Sequence, residues 1–94
     1  MQIAVLGAGA WGTALAISFA HRHSVSLWAR DPEKAARMQA AGENSRYLPG
    51  HRFPASLRAT ADFSAACKDA ELMLIAAPLA GLRAALQHLR AAEV

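Results

Sequence analysis

Three glycines near the N-terminus, Gly7, Gly9 and Gly12, stand in the spacing Gly-x-Gly-x-x-Gly. That spacing suits one kind of chemistry, the holding of a pyrophosphate against bare backbone. The residues before them, Gln2-Ile3-Ala4-Val5-Leu6, have the length and apolarity of a strand, and a helix-like stretch opens at Ala10. Each glycine has a separate task in such a turn. Gly7 lets the chain leave the strand sharply, Gly9 removes a side chain so that an anion can approach the main chain, and Gly12 lets the helix lie close on the sheet. The helix start adds unpaired N–H groups and the positive end of its dipole. The flanking strand and helix turn a common glycine pattern into a dinucleotide-binding expectation. The alternative is a glycine-rich turn that holds no ligand.

A second place where residue type bears on chemistry is the stretch after Ser24-Val25-Ser26-Leu27-Trp28, an alternating segment bounded by polar residues that reads as the second strand. In a doubly wound sheet an acid at this point hydrogen-bonds the adenosine ribose of NAD, whereas an arginine accommodates the 2′-phosphate of NADP. Asp31 stands at about the expected distance of roughly 20 residues from the glycines. It also precedes Pro32 and Glu33, which favours a helix N-cap over a ribose ligand. Arg30 is then the side chain best placed for the adenosine end. Its guanidinium can fork onto a 2′-phosphate or stack on adenine, and the alternative is an ordinary exposed arginine.

The elements that must position these residues follow a regular order. The first helix is expected over residues 10–22, with Leu15 and Phe19 beside Ala16 and Ala20 as its buried stripe and His21-Arg22-His23 at its negative end. The length from Ile3 to Trp28 fits a right-handed strand–helix–strand unit, which makes the two strands parallel neighbours. A second helix opens at Asp31-Pro32-Glu33 and closes at Gly42, where a left-handed residue is needed. Residues 43–56 read as a loop, Leu57-Arg58-Ala59-Thr60 as a short third strand, and residues 62–68 as a short helix. Leu72-Met73-Leu74-Ile75-Ala76-Ala77 is a continuous apolar run, as a central parallel strand should be, and Pro78 stops it. A last helix turns Leu82, Leu86 and Leu89 inward. The expected fold is therefore α/β, a Rossmann-like doubly wound parallel sheet truncated at about four strands, with residues 1–94 forming part of a dinucleotide-binding domain.

Composition narrows the partners. Hydrophobic residues make up 54% of the 94 residues, which excludes disorder and suits either a sheet covered on both faces or a fragment whose missing part would cover exposed surface. The net charge of +3 is spread along the chain rather than gathered in a stripe, which argues against nucleic acid and suits a small anion. Cys67 is the sole cysteine and reads as a small buried apolar residue, with no disulfide and no sign of secretion. His21, His23, His51 and His88 lack the spacing of a zinc site, so no metal is expected. No run is long enough to span a membrane and no leader is recognisable, so a cytoplasmic location is the default expectation.

With both stretches read, a family resemblance emerges. Gly7-Ala8-Gly9-Ala10-Trp11-Gly12-Thr13-Ala14-Leu15-Ala16 resembles the opening of the bacterial NAD(P)-dependent glycerol-3-phosphate dehydrogenase family. Trp28-Ala29-Arg30-Asp31 and Asn44 with Tyr47-Leu48-Pro49-Gly50 are similar to further motifs of that family, as is the strand ending at Pro78. The resemblance implies reversible hydride transfer between dihydroxyacetone phosphate and sn-glycerol 3-phosphate, feeding phospholipid synthesis, with NADP or NAD as cofactor. It implies that Gly7, Gly9, Ala10, Trp11 and Gly12 line a pyrophosphate turn and that Arg30 faces the adenosine end. It places Tyr47 near the cofactor, with packing beside Leu48 as the alternative; Trp11 in turn either meets ligand or covers the sheet edge. Family members often carry serine where Ala10 stands, and Leu79-Ala80-Gly81 lacks the polar or aromatic residues often found after Pro78, so no contact is assigned there. The family's catalytic lysine lies on a further strand, ahead of a helical substrate domain that this chain does not carry. Lys34 and Lys68, on helices and facing solvent, are poor substitutes, so no catalytic residue is assigned. The whole protein is expected to be a homo-oligomer. Two other readings stay open: a 3-hydroxyacyl or 6-phosphogluconate type of dehydrogenase with the same nucleotide half, and a nucleotide-sensing module without catalysis.

Overall fold

The protein is described by a computed structural model that covers residues 1–76. Four strands, β1 (Gln2–Leu6), β2 (Ser24–Trp28), β3 (Leu57–Thr60) and β4 (Leu72–Ile75), alternate with three helices, α1 (Ala10–Ala20), α2 (Pro32–Ala41) and α3 (Phe63–Cys67). The strands form one parallel sheet in the order β3-β2-β1-β4. The register sets Ile3 beside both Val25 and Leu72, and Leu6 beside both Trp28 and Ile75.

Alternation along β1 sorts the core onto two faces. Ile3 and Val5 join Val25, Leu27, Leu57 and Ala59 under α1 and α2, whose Ala16, Ala20, Ala35 and Met38 cover them. Ala4 and Leu6 face the other way, packing with Trp28, Ala66 and Cys67 against α3. Trp28 anchors that second face by donating its indole N–H to the Ala61 carbonyl at 3.1 Å and meeting Phe63 edge-on at 5.1 Å. A strand covered on both faces must be apolar throughout, and β1 is, beyond its exposed first residue.

The helix signals operate as expected at α2. Asp31 accepts a hydrogen bond from the Glu33 N–H at 2.9 Å, Pro32 follows at the first helical position, and Gly42 closes the helix at φ 71°. Asp62 caps α3 in the same way, accepting from the Ala65 N–H at 3.1 Å. One expectation needs correction. The stripe that α1 buries is Gly12, Thr13, Ala16 and Ala20, and the helix stops at Ala20; Leu15 and Phe19 are only half-buried. The helix is apolar on nearly every side, so its sequence cannot say which side faces the sheet, and the smallest residues face it because the approach is closest there. Among the described residues β4 stands at one side of the sheet, next to β1, with Leu72 39% and Ile75 38% exposed. Ala77, Pro78, Leu79-Ala80-Gly81 and the last helix with Leu82, Leu86 and Leu89 lie outside the described residues.

The approach of α1 to the sheet depends on Gly12. A Cβ there would collide with the Gly7 carbonyl oxygen and crowd the Ala76 Cβ at 3.1 Å. Replacing Gly12 with alanine is expected to destabilise the fold by at least ~1–3 kcal/mol, the usual cost of overpacking, because backbone rather than a flexible side chain must give way. Equilibrium urea unfolding of Gly12→Ala checks this.

Candidate functional site

The glycine turn sits where the strand order reverses. From β1 the chain winds outward through β2 to β3, then returns to place β4 on the other side of β1. Ligands of open parallel sheets bind beyond the carboxyl ends of the strands at such a switch point. Gly7 leaves β1 at φ 124°, a conformation that excludes ordinary L side chains, and its N–H donates to the Trp28 carbonyl at 3.1 Å. Ala76 donates its N–H to the Leu6 carbonyl at 2.9 Å, which brings the end of β4 alongside.

Gly9 is the N-cap of α1 and offers no side-chain cap. The first helical bond runs from the Thr13 N–H to the Gly9 carbonyl at 3.0 Å. The N–H groups of Ala10, Trp11 and Gly12 therefore have no acceptor within the helix, and they point out of its positive end. Gly9 itself has φ −77°, open to any residue, and a Cβ built on it would meet nothing within 4 Å. The fold needs Gly7 for its dihedral and Gly12 for its packing; Gly9 it needs for neither. Ala10 is exposed, and Trp11 is 70% exposed, which leaves its indole open to solvent rather than buried as a cover for the sheet edge.

Beneath this turn lies Asn44, 1% exposed. Its side-chain amide donates to the Ala8 carbonyl at 2.9 Å and to the Thr13 hydroxyl at 2.8 Å. Its carbonyl oxygen accepts from the Tyr47 N–H at 3.4 Å, and its backbone carbonyl from the Leu48 N–H at 2.8 Å. One buried side chain thus joins the glycine turn, the first turn of α1 and the loop after α2. That loop is closed at its base by a Phe53 N–H to Gly42 carbonyl bond of 2.7 Å and a bridge between Glu43 and Arg52. Asn44 carried no assigned role in the sequence, and neither did Thr13. The signal for both would be a polar residue in an apolar helix matched to an asparagine far along the chain, which only the fold brings together.

The remaining candidates lie on the same edge. Arg30 is exposed and directly precedes the cap of α2, two residues beyond the Trp28 carbonyl that holds Gly7. Tyr47 is 41% exposed, with the Lys34 ammonium 4.2 Å and the Arg46 guanidinium 5.3 Å from its ring centroid. Its ring is thus engaged by cations rather than packed in the core with Leu48. Lys34 is correspondingly half-buried against the ring, contrary to the solvent-facing lysine expected from its helix, whereas Lys68 is exposed. Burial pushes the Cys67 thiol above its ordinary range, which keeps it protonated and unreactive at neutral pH. Among the described residues no three of His, Cys, Asp and Glu converge as a metal site, and no helix is long and apolar enough to cross a membrane.

A glycine turn at the switch point of a parallel, doubly wound sheet defines a Rossmann-type nucleotide-binding domain. The sequence pattern of the NAD-dependent glycerol-3-phosphate dehydrogenase N-terminus matches residues 2–93, and the chain belongs to that family. It is 56% identical over 89 residues to the glycerol-3-phosphate dehydrogenase (NAD(P)+) of Aromatoleum aromaticum, covering 95% of this chain and 27% of the relative. The enzyme of the same name from Methylibium petroleiphilum is 54% identical over 88% of this chain and 26% of its own length. The crystal structure of glycerol-3-phosphate dehydrogenase from Coxiella burnetii superposes with a TM-score of 0.91 at 37% identity, over 96% of this chain and 28% of that one. The chain therefore spans about 27% of the length of the curated relatives it matches.

The Asn44 geometry has a measurable consequence. Asn44→Ala strips the Ala8 carbonyl and the Thr13 hydroxyl of a shared buried donor, at an expected cost of about 1–3 kcal/mol. Asn44→Asp is expected to be no better, since a carboxylate offers the Ala8 carbonyl an acceptor instead of a donor. Urea melts of both variants, with amide exchange at Tyr47 and Leu48, measure the loss.

Proposed function

We propose that this chain is the cofactor-binding part of a glycerol-3-phosphate dehydrogenase, holding NADP(H) or NAD(H) while the whole protein interconverts dihydroxyacetone phosphate and sn-glycerol 3-phosphate. The observation that carries the reading is Gly9. Its dihedrals suit any residue and its missing Cβ points into open space, so within the fold nothing requires glycine there. A ligand pressed against the backbone does require it.

The cofactor's pyrophosphate fits the N–H groups of Ala10, Trp11 and Gly12, with Gly7 turning the chain beneath it and Gly9 leaving room. Arg30 lies at the adenosine end, beyond β2, and Tyr47 borders that end. Asp31 is committed to the α2 cap, which takes from the site the acid that would otherwise favour the unphosphorylated ribose. Trp11, exposed over the turn, shields the pyrophosphate from water. When bound, the nicotinamide ring supplies or accepts the hydride; the residues of this chain bind and orient the dinucleotide, and the groups that act on the substrate belong to the rest of the protein. In keeping with that activity we place the protein in the cytoplasm as a homo-oligomer, supplying glycerol phosphate for phospholipid synthesis.

Two measurements test this. The complete protein is expected to oxidise NADPH or NADH when given dihydroxyacetone phosphate, and turnover only of another ketone would reject the substrate. Gly9→Val separates fold from function. Its unfolding free energy is expected to stay within about 1 kcal/mol of wild type, since a Cβ at this position meets no neighbour within 4 Å. Its dinucleotide affinity, by titration calorimetry, is expected to fall at least about tenfold as a side chain enters the pyrophosphate's place.

A further inference from the structure

The cofactor reading leaves a cluster of charge unexplained at the same edge. Lys34 and Arg46 converge on the ring of Tyr47, at 4.2 Å and 5.3 Å. Two like charges drawn to one ring repel each other, and nearby carboxylates would ordinarily neutralise them. Here the nearby acids are turned elsewhere. Asp31 accepts from the Glu33 N–H at 2.9 Å, and Glu43 accepts from the Gly50 N–H at 3.2 Å. Among the described residues neither Lys34 nor Arg46 has an ion pair.

Position gives the cluster a target. Lys34 lies in the first turn of α2, one helical turn on from Arg30, at the carboxyl end of β2. The positive end of the α2 dipole adds to the same field. Tyr47, which carries both cations, is tied through Asn44 to the Ala8 carbonyl of the glycine turn. Lys34 and Arg46 also line one open cleft of about 780 Å³, together with Arg37 and Asp31. A phosphate monoester attached to the adenosine of a dinucleotide is the anion such a rim would recognise, and the lysine suits it as a mobile point charge.

We propose that Lys34 and Arg46, held over Tyr47, join Arg30 in a cationic rim that binds the 2′-phosphate of NADP(H) and sets the preference for it over NAD(H). This rests on the cofactor reading above. The rim acts on one feature of the ligand only. NADH lacks the phosphate and leaves the rim unused, so the three side chains discriminate between cofactors without contributing to the binding they share.

Calorimetry on the complete protein with NADPH and NADH tests the assignment. Lys34→Ala is expected to weaken NADPH about tenfold or more, the loss of a charge-assisted contact, and to change NADH by less than about twofold. Arg46→Ala is expected to act in the same direction, and Lys34→Arg to restore most of the NADPH affinity. In competition against NADPH, 2′-AMP is expected to outcompete 5′-AMP on wild type and to lose that advantage in Lys34→Ala, which separates the nucleotide phosphate from inorganic phosphate as the source. Both side chains lie at the surface edge, and thermal melts of the variants should match wild type. Unchanged NADPH affinity in Lys34→Ala, or equal losses for the two cofactors, overturns the rim while leaving the dinucleotide site standing. A wild-type protein that binds neither dinucleotide overturns the site itself.

Discussion

The arrangement of the site depends on one buried amide. Asn44 donates to Ala8 and Thr13 and accepts from Tyr47, and the two bonds it donates lie where water does not compete. A side-chain amide can do this because it is both donor and acceptor, and the buried surroundings raise the cost of leaving any of these groups unpaired. The consequence is geometric. The glycine turn, the start of α1 and the loop after α2 come from separate stretches of chain, yet they cannot move independently while Asn44 is in place. A loop that begins and ends near Gly42 and Phe53 is fixed to the switch point of the sheet by one internal contact rather than by its own secondary structure.

Around that constraint the three glycines divide their work cleanly. Gly7 is demanded by a positive φ and Gly12 by the nearness of the Gly7 carbonyl, so both are structural before they are functional. The identity of the second glycine is the only one that the folded chain does not account for. A motif usually read as a unit is therefore two parts scaffold and one part that the fold leaves free, and the distinction is visible only when each missing Cβ is considered in its surroundings.

What was legible in the sequence follows from how local each signal is. The Asp31-Pro32 start and Gly42 stop of α2 are decided within a few residues, and the structure follows them closely. The parallel pairing of β1 and β2 follows from the length of the unit between them. Signals that depend on tertiary partners were lost or misread. An almost wholly apolar α1 gives no hint of which side is buried, and the answer, Gly12 and Thr13 with Ala16 and Ala20, is set by the close approach at the glycine turn and by Asn44. Lys34 looks like any helix-surface lysine until Tyr47, from a distant loop, is folded against it.

These differences point to an asymmetry in how the site is built. The glycine turn is tied to the core: the Gly7 N–H is bonded to β2 and the Ala8 carbonyl to Asn44, and Gly7 and Gly12 are fixed by dihedral and by backbone contact, so a change at either of these two disturbs the fold. The rim beyond β2 is made of long side chains at the surface, anchored to one half-exposed ring, and a substitution there leaves the core untouched. Surface changes away from buried networks typically cost within about 0.5 kcal/mol of stability. On the proposed reading, recognition of what the two cofactors share therefore falls to residues tied into the core. On the same reading, discrimination between them is left to side chains whose replacement the fold tolerates, a separation that would let a single scaffold change its cofactor preference without being rebuilt.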